Sequence, residues 1–590
     1  MERSAVFHRA GNNFSFILDD STLCIRIMTK KDDVDKIKLL QGDPYIWNEG
    51  KWMLQSVDMK LNAKDALYDY WEVNITPPHR RIRYGFELHA NDETLLYTEK
   101  GFYEEIIYDS QYYFSFPYLH ATELFNAPKW VKDTRWYQIF PERFRNGNSS
   151  INPKNVVPWG ESDPSKTNFF GGDFEGVIQH LDYLVDLGIN GIYFTPIFEA
   201  HSNHKYDTID YFKIDPQFGS EEDLKRLVGA CHDRGIKVML DAVFNHSGYY
   251  FAPFQDVLDN GAHSKYLNWF HPHSLPLRGG ERPNYEAFAF VESMPKLNTQ
   301  NPEVKKYLLN VASYWINEFD IDGWRLDVAN EIDHQFWREF RAVVRQQKPD
   351  LYILGEVWHD SMPWLLGDQF DAVMNYPLTT NVLNLLANQT ISAQDFMNSM
   401  TTVIQSYPSN VMAVTFNLVG SHDTPRILTE CNEDIRRVKL IYILLYTFMG
   451  SPCMYYGDEI GMTGAQDPYC RKCMEWEPEK QNTELLNHVK KIISLRQTER
   501  LLANNGSFQF LNHIESEIVA YRKYQDDKNV LIMINPSDRE QTYDIPIPLK
   551  DTSVRNLWTD EVEDGTTQLV LEPYGFRILT FNVANEFNLM

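Results

Sequence analysis

The segment IDGWRLDV, residues 321–328, predicts a buried β-strand that carries two opposite charges. Side chains alternate between the two faces of a strand, so Arg325 and Asp327, two positions apart, project from the same face. A buried guanidinium beside a buried carboxylate is unusual for a strand with a purely structural role. Because Asn330 and Glu331 follow at once, the segment predicts a cluster of polar side chains where the strand ends.

Similar apolar runs occur on both sides of this segment, and amphipathic helix patterns separate them. The eight runs read WYQIF, GIYFTPIF, KVMLDAVFNH, GWRLDV, LYILGEVW, DAVMNYP, MAVTFNLVGS and CMYYGDEI. Continuous apolar strands that alternate with helices are typical of a parallel sheet covered on both faces. Eight such units predict an α/β fold, a (β/α)8 TIM barrel, over residues 123–505. A doubly wound open sheet is the alternative, although no glycine-rich nucleotide fingerprint supports it.

Three further regions depart from this alternation. The helix pattern after the sixth strand, at about 379–407, is the least regular, and an irregular stretch after the third strand predicts an inserted domain at about 247–300. Residues 1–122 alternate apolar and polar positions between turn clusters, which predicts an N-terminal β-sandwich. Residues 506–590 repeat that pattern and predict a C-terminal all-β domain, also a β-sandwich.

Composition narrows the class of partner. The 590 residues carry a net charge of -26, which argues against nucleic acid and anionic membranes. The N-terminus lacks an apolar signal segment, and the apolar stretch at 440–456 is interrupted by Gly450 and Pro452, so no membrane span is expected. The six cysteines are scattered, and the single C-x-x-C of Cys470 and Cys473 lacks a second pair for zinc. These features predict a cytoplasmic protein with free thiols and an uncharged partner.

Polar residues gather at the predicted carboxyl ends of four strands, where a TIM barrel carries its chemistry. They are Asn245 and His246, Arg325 and Asp327, Glu356 and Trp358, and His422 and Asp423. One acidic residue at a strand end is more often a cap or a salt bridge. Three carboxylates on separate strands, beside an arginine and two histidines, instead predict a catalytic rim.

These residue types suit the cleavage of a glycosidic bond with retention of configuration. That reaction needs an ionised carboxylate as nucleophile and a protonated acid about 5 Å away. We expect Arg325 to lower the pKa of Asp327 and keep the nucleophile charged. Glu356 has no cationic neighbour in the sequence, and Trp358 can desolvate it, as suits a general acid. Asp423 is the third acid, which stabilises the transition state through ring hydroxyls.

The motifs DAVFNH, GWRLDVANE, GEVW and VGSHDT, in that order, resemble the four core motifs of the α-amylase superfamily, glycoside hydrolase family 13. GIYFTPIF and YDTIDYFKIDPQFG resemble other parts of the same barrel. The resemblance implies that Asp327 is the nucleophile, Glu356 the acid/base and Asp423 the transition-state stabiliser. It also implies sugar-binding roles for four residues at the cleavage site: Tyr206, which stacks beneath the sugar, and His246, Arg325 and His422.

The sequence MPKLN at 294–298 resembles the signature of the neopullulanase, cyclomaltodextrinase and maltogenic amylase subgroup, and VANE at 328–331 points the same way. The resemblance places Asn330 and Glu331 among the substrate-binding residues. It implies that Asp467 and Arg471 bind the sugar beyond the cleaved bond. Two aromatic residues, Phe288 and Trp358, are then expected to stack on the leaving-side glucoses, with ordinary packing as the alternative.

RFRNGNSS and FGGD resemble a calcium-binding loop of this subgroup. Its expected oxygen donors come from Asn146, Asn148, Asn152, Gly171 and Asp173. Only Asp173 brings a carboxylate, and Asn148 stands where some relatives have Asp, which weakens the affinity. The alternative is a turn held by asparagine side chains without an ion.

The resemblance implies a retaining hydrolase that cleaves α-1,4-glucosidic bonds in cyclodextrins, pullulan and maltooligosaccharides, with some transglycosylation. Two alternatives are open: a glucan transferase or isomerase of the same superfamily, and a non-catalytic glucan-binding homologue. In this subgroup the N-terminal module commonly lies over the active site of a partner subunit, so a homodimer is expected.

Overall fold

The computed structural model describes residues 1–91, 93–511, 516–549 and 552–583, and a parallel barrel forms its centre. The eight barrel strands are β1 (Trp136–Ile139), β2 (Gly191–Phe194), β3 (Lys237–Ala242), β4 (Gly323–Leu326), β5 (Tyr352–Gly355), β6 (Ala372–Val373), β7 (Phe416–Asn417) and β8 (Ser451–Tyr455). Each strand pairs with the next in the chain from β1 to β6, while β8 pairs with both β7 and β1. A parallel bridge between Met374 and Phe416 closes the ring between β6 and β7. The predicted TIM barrel is confirmed.

Helices cover the outside of the barrel because each lays an apolar stripe on the strands. The longer ones are Glu221–Asp233, Pro302–Phe319, His334–Gln347, Ala393–Gln405, Ile435–Thr447 and Thr483–Thr498. Shorter ones are Pro141–Phe144, Phe174–Gln179, Leu181–Leu187, Ala252–Asn260, Tyr376–Val382, Ser409–Met412 and Ile427–Glu430. The helix Pro302–Phe319 begins with Pro302 in the first turn, and the Asn301 side chain accepts from the Glu303 N–H at 2.8 Å.

The connections vary in regularity around the ring. Between β5 and β6 the structure shows only the short 3-10 helix Met362–Trp364. After β6, the irregular pattern corresponds to the helix Tyr376–Val382, a π-helical turn at Leu383–Ala387, and the helix Ala393–Gln405. The stretch after β3 contains the helix Ala252–Asn260 and isolated bridges such as Phe270 to Leu297. The β3–β4 connection thus contains an irregular insertion before its helix Pro302–Phe319, whereas the β5–β6 connection has only the 3-10 helix.

Two antiparallel sheets precede the barrel and pack face to face, as the alternating pattern predicts. Their strands are Ser15–Ile17, Leu23–Lys30, Lys60–Lys64 and Tyr68–Ile75 in one sheet, and Lys36–Gly42, Gln55–Asp58, Ile82–Ala90, Glu93–Thr98, Gly101–Tyr103 and Phe114–Phe116 in the other. A small separate pair is Trp47–Asn48 with Lys51–Trp52. Apolar residues such as Ile25, Leu39 and Phe86 fill the space between the sheets and are fully buried. This burial supplies the main stabilisation of the module.

A second β-rich module follows the barrel. One sheet contains Ser507–Phe510, Val519–Gln525, Lys528–Ile534, Ser553–Asn556, Val562–Asp564 and Phe576–Asn582, and a pair consists of Gln541–Asp544 with Gln568–Leu571. Leu531, Leu571 and Phe581 belong to the core between them. The last seven residues of the predicted domain, 584–590, lie outside the described residues.

The N-terminal sandwich docks on the barrel through polar contacts that are buried or partly buried. Arg26 donates to the Tyr407 carbonyl at 2.8 Å, and Asn13 donates to the Gln405 carbonyl at 2.9 Å. The Thr402 hydroxyl donates to Asp65 at 3.0 Å. Because these bonds use the end of the helix Ala393–Gln405 and the loop beyond it, the sandwich is fixed to the outside of the barrel. Within the described ranges, no helix combines the length and the apolarity needed to cross a bilayer.

Candidate active site

One guanidinium connects three carboxylates at the carboxyl ends of neighbouring barrel strands. Arg325 Nη1 donates to Asp327 Oδ1 at 2.8 Å and lies 3.0 Å from both oxygens of Asp241. Its Nη2 lies 3.0 Å from Glu356 Oε2. The strand register explains the meeting, since Arg325 on β4 pairs with Asp241 on β3 and with Leu354 on β5. Arg325 is fully buried, so the three acids share a counter-ion that water does not screen.

The charge balance of this cluster differs from the sequence-based expectation. Burial raises the pKa of Asp327 well above its ordinary value, and the negative charges of Glu356 and Asp241 add to the effect. Arg325 lowers the pKa of Asp327, as expected, but one cation does not offset desolvation and two anions. Burial likewise raises the pKa of Asp241 to about 6. The prediction that Arg325 leaves Asp327 with a lowered pKa is therefore wrong.

Asp241 belongs to the site, but the sequence-based prediction did not include it. From the same apolar run, that prediction selected Asn245 and His246, which lie nearer its end. It is 1% exposed and accepts hydrogen bonds from the Tyr193 hydroxyl at 2.7 Å and the Tyr206 hydroxyl at 3.0 Å. The available signal was the one seen in β4, a charged residue inside a continuous apolar strand.

Glu356 is held from three sides. Its Oε2 accepts from the Val328 N–H at 2.9 Å and lies near Arg325, and its Oε1 accepts from the Trp358 indole N–H at 3.1 Å. No cation is adjacent to Glu356 in the sequence, but strand pairing brings Arg325 to it in the fold. Val328 has φ +44°, which is strained for a β-branched residue and directs its N–H to the carboxylate. Both oxygens of the predicted acid/base are thereby fixed in position.

Trp358 extends from this carboxylate to the mouth of the site. Its ring is stacked on Tyr376, with centroids 3.5 Å apart and planes 9° from parallel. The residue is 50% exposed, so one indole face is open to a ligand while the other packs. Tyr376 is a further residue that the sequence reasoning did not select.

The histidine of VGSHDT has a defined tautomer. The Gln138 amide nitrogen donates to His422 Nδ1 at 2.8 Å, so the ring proton lies on Nε2, which is 2.6 Å from the Tyr206 hydroxyl. The Tyr206 hydroxyl in turn donates to Asp241. Burial lowers the pKa of His422 well below its ordinary value, with Arg471 and Arg325 adding to the shift. His422 is therefore a neutral hydrogen-bond donor rather than a cation.

Asp423 lies at the edge of the same group. Its Oδ2 is 3.2 Å from His422 Nε2 and its Oδ1 accepts from Arg471 Nη2 at 3.2 Å. Arg471 also pairs with Asp467 at 3.0 Å and donates from Nε to the His422 carbonyl at 2.8 Å. The structure thus joins Asp423, Arg471 and Asp467, which are up to 48 residues apart in the chain, to the carboxylate cluster.

The predicted site residues that follow β3 and β4 form a second group in the structure. The rings of His246 and Phe288 are stacked, with centroids 5.1 Å apart. Burial lowers the pKa of His246 to about 3, so its ring is neutral. Lys296, from MPKLN, donates to Asn245 and lies 3.3 Å from Glu331. Asn330 is exposed on the short helical turn Ala329–Glu331. Lys296 therefore holds this turn to the end of β3.

The five residues of the predicted calcium loop lie together after β1. Asn146 Nδ2 donates to Asn152 Oδ1 at 2.9 Å and to the Phe170 carbonyl at 3.2 Å. Asp173 caps the helix Phe174–Gln179 and accepts from the N–H groups of Gly147, Asn148 and Gly176. Gly171 has φ +80°, and a Cβ there would lie 2.4 Å from Asn152 Oδ1. Within the described ranges, no group of three or more His, Cys, Asp or Glu side chains could hold a metal ion, so any ion here depends on amide and carbonyl oxygens.

Comparison with protein families places this geometry. Residues 138–505 match the family described as alpha amylase, catalytic domain. The chain belongs to the α-amylase family. Residues 1–120 of this α-amylase-family chain match the alpha amylase N-terminal ig-like domain, and residues 508–578 match the maltogenic amylase C-terminal domain.

Relatives of this α-amylase-family chain cover nearly its whole length. A maltogenic alpha-amylase of Bacillus acidopullulyticus is 56% identical over 98% of this chain and all of its own. A cyclomaltodextrinase of Geobacillus thermopakistaniensis is 57% identical over 98% of this chain and 99% of its own. A solved cyclomaltodextrinase structure, 47% identical, matches with a TM-score of 0.94 over 99% of this chain and all of that one. These similarities confirm the predicted subgroup, and they make the protein a glycoside hydrolase.

Proposed function

We propose that this protein hydrolyses α-1,4-glucosidic bonds in cyclodextrins, pullulan and maltooligosaccharides with retention of configuration. The observation that supports this best is the single buried guanidinium of Arg325, which contacts both Asp327 and Glu356. Cyclomaltodextrinase, maltogenic alpha-amylase and neopullulanase are the names of relatives at 57%, 56% and 40% identity. The substrate class follows from those similarities together with the acid pair.

In the first chemical step, Asp327 attacks the anomeric carbon while Glu356 donates its proton to the glycosidic oxygen. The C–O bond to the leaving sugar breaks, and a covalent glycosyl ester forms on Asp327. The Val328 N–H and the Trp358 indole hold Glu356 towards the leaving group. In the second step Glu356 takes a proton from water, which attacks the ester and frees Asp327.

Substrate hydroxyls meet polar groups that are already oriented. His422 is held in a fixed tautomer with its Nε2–H directed to the Tyr206 hydroxyl, and the acceptor Asp423 is positioned by Arg471. Because these groups bond protein partners before substrate arrives, little reorganisation is needed as charge develops on the sugar. Trp358 offers an open aromatic face on the leaving side, where a sugar acceptor competes with water. Transglycosylation is the consequence of that competition.

The experiment that tests this function is a product profile from β-cyclodextrin, with and without added glucose. We expect ring opening followed by maltose and glucose, with longer transfer products only when glucose is present. A transferase or isomerase predicts little free reducing sugar without an acceptor. A binding protein without activity predicts none, and either result would reject the hydrolase.

We also propose that the loop of Asn146, Asn148, Asn152, Gly171 and Asp173 binds calcium. The residues fit the ion in that hydrogen bonds join Asn146 to Asn152 and Asn148 to Asp173, so their oxygen-bearing groups belong to one loop. Asp173 already accepts three backbone N–H groups, which favours modest affinity. Bound calcium would pin the loop and leave the chemistry to the carboxylates. We expect millimolar Ca²⁺ to raise Tm and Asp173→Asn to abolish the rise; an equal response to Mg²⁺ would contradict a calcium site.

Two further parts of the proposal concern assembly and location. We place the protein in the cytoplasm, since a Bacillus subtilis relative at 44% identity is named intracellular maltogenic amylase.

We propose a homodimer in which residues 1–122 narrow the cleft of the partner subunit. Exposed apolar residues on this module, including Tyr45 at 75% and Trp47 at 45% exposure, support such a contact. Sedimentation of a monomer at micromolar concentration would exclude the dimer.

A further inference from the structure

A cavity of about 620 Å³ lies where the N-terminal sandwich, the barrel and the C-terminal module meet. Its barrel wall includes Ala413 and Met449, which precede β7 and β8. The cavity is therefore at the amino ends of the strands, on the opposite side of the barrel from Asp327 and Glu356. Its volume lies within the range of about 300–1,000 Å³ typical of small-molecule sites. The active site makes no use of it.

The lining combines amide and hydroxyl groups with aromatic carbon. Asn62 and Asn74 come from the sandwich, Gln405 and Ser409 from the barrel, and Gln509 from the C-terminal module. Amides both donate and accept hydrogen bonds, as a ligand with many hydroxyl groups requires. Phe508 and Phe510 add apolar surface, which suits the C–H faces of a sugar ring.

The side chain of Gln405 has an unsatisfied hydrogen-bond acceptor, which a ligand in the cavity would satisfy. It is the last residue of the helix Ala393–Gln405, and only 5% of it is exposed. Its backbone carbonyl accepts from Asn13, yet its side-chain Oε1 has no hydrogen-bond donor among the described residues. Buried acceptors are rarely left without a donor, because desolvation is then uncompensated. A hydroxyl group bound in the cavity would supply that donor.

The cationic side chains around the cavity already donate to protein oxygen atoms, which argues against an anion. Arg26 Nε donates to Glu72 at 2.6 Å, and its Nη1 donates to the Tyr407 carbonyl at 2.8 Å. Lys523 donates to the Leu502 carbonyl at 3.0 Å, and burial lowers its pKa well below the ordinary value. A phosphate would meet the Glu72 carboxylate and no cation without a partner among these residues. A neutral ligand meets no such penalty.

We propose that this cavity is a second binding site, separate from the catalytic cleft, for a short α-1,4-linked glucose oligomer. The choice of oligomer rests on the proposed function, since the proposed hydrolysis releases such sugars as products. Because the three walls come from three modules, an occupied site bridges them.

The test is calorimetric titration of maltotriose into full-length Asp327→Asn protein, which does not consume the ligand. We expect Gln405→Met in that background to lower the binding stoichiometry by one. The matched control is Gln394→Met, on the same helix, whose Oε1 is also buried without a partner but which does not line the cavity. It should keep the full stoichiometry. If Gln405→Met fails to fold, Ala63→Trp takes its place. It fills the cavity from the sandwich side and should also lower the binding stoichiometry by one.

Equal stoichiometry in Gln405→Met and Gln394→Met would overturn the proposal, as would binding of inorganic phosphate but not maltotriose at the cavity. Gln405→Met in the otherwise wild-type enzyme should hydrolyse β-cyclodextrin at the unchanged rate. Failure of wild-type protein to hydrolyse cyclodextrin would instead count against the proposed function, so the two failures are distinguishable.

Discussion

Glu459 contributes to the pH dependence of the barrel's stability, and Glu459→Gln should remove that contribution. The residue follows β8, is fully buried, and accepts hydrogen bonds from the Tyr137 hydroxyl at 2.8 Å and the Tyr183 hydroxyl at 2.7 Å. Burial raises its pKa from 4.5 to about 7. The folded protein therefore keeps a proton between these pH values that the unfolded chain releases.

The magnitude follows from the size of the shift. Each pKa unit corresponds to about 1.4 kcal/mol, so about 3 kcal/mol of stability is present below pH 4.5 and is lost as the pH rises through about 7. Glutamine keeps the acceptor for both tyrosines and carries no charge at any of these pH values. At pH 8, Glu459→Gln should therefore melt above the wild type by about 4 °C for a barrel of this size.

The assay is scanning calorimetry of both proteins between pH 4.5 and 8. The gap in Tm should open between pH 5 and 7 and stay constant above that. Neighbouring Asp458, paired with Arg426, is present in both proteins, and its charge adds a smaller contribution than burial to the raised pKa of Glu459. Glu479→Gln, an exposed site in a nearby segment, controls for the substitution itself. A gap of the same size at pH 4.5 and pH 8, or a variant that melts lower at pH 8, would refute the reasoning.

Three other outcomes are expected. Asp327→Asn should keep the fold and lower the rate on β-cyclodextrin below about 1% of wild type, because the nucleophile is gone; a rate of several per cent would reject its role. Proton NMR of the first hydrolysis products should show the α-anomer, and an initial β-anomer would exclude double displacement. Deleting residues 1–122 should reduce cyclodextrin hydrolysis more than hydrolysis of soluble starch, because a small ring depends on an enclosed cleft. The melting temperature of the deletion variant must be measured beside its activity, since the deletion also removes the Arg26 and Asn13 contacts with the barrel. Equal losses of activity on both substrates would indicate general destabilisation.

The barrel was predictable because its strands are continuous apolar runs, and burial on both faces demands that composition. Asp327, Glu356 and Asp423 could be selected because each follows such a run at the end where barrel chemistry collects. The sequence did not predict that β5 and β6 are connected without a full helix, because the apolar residues of that connection pack without helical order.

Contacts that depend on strand pairing were the part that sequence could not supply. Arg325 and Glu356 are 31 positions apart, and only the register of β4 against β5 brings them to 3.0 Å. The same limit applies to Gln138, which sets the tautomer of His422 from the opposite end of the barrel sequence. The direction of the Asp327 pKa was wrong for a related reason, because the sequence showed one cation beside it and the fold adds two more acids and full burial.

One cation shared among three acids makes the catalytic cluster a polyprotic acid. Full ionisation of Asp241, Asp327 and Glu356 around Arg325 would leave two uncompensated negative charges in a buried space. The resting cluster therefore retains a proton, and the proposed mechanism requires that proton on Glu356 while Asp327 is ionised. Both limbs of a pH–rate profile then report the titration of the whole cluster rather than of a single carboxyl. A change at Asp241, which the chemistry does not consume, would move them.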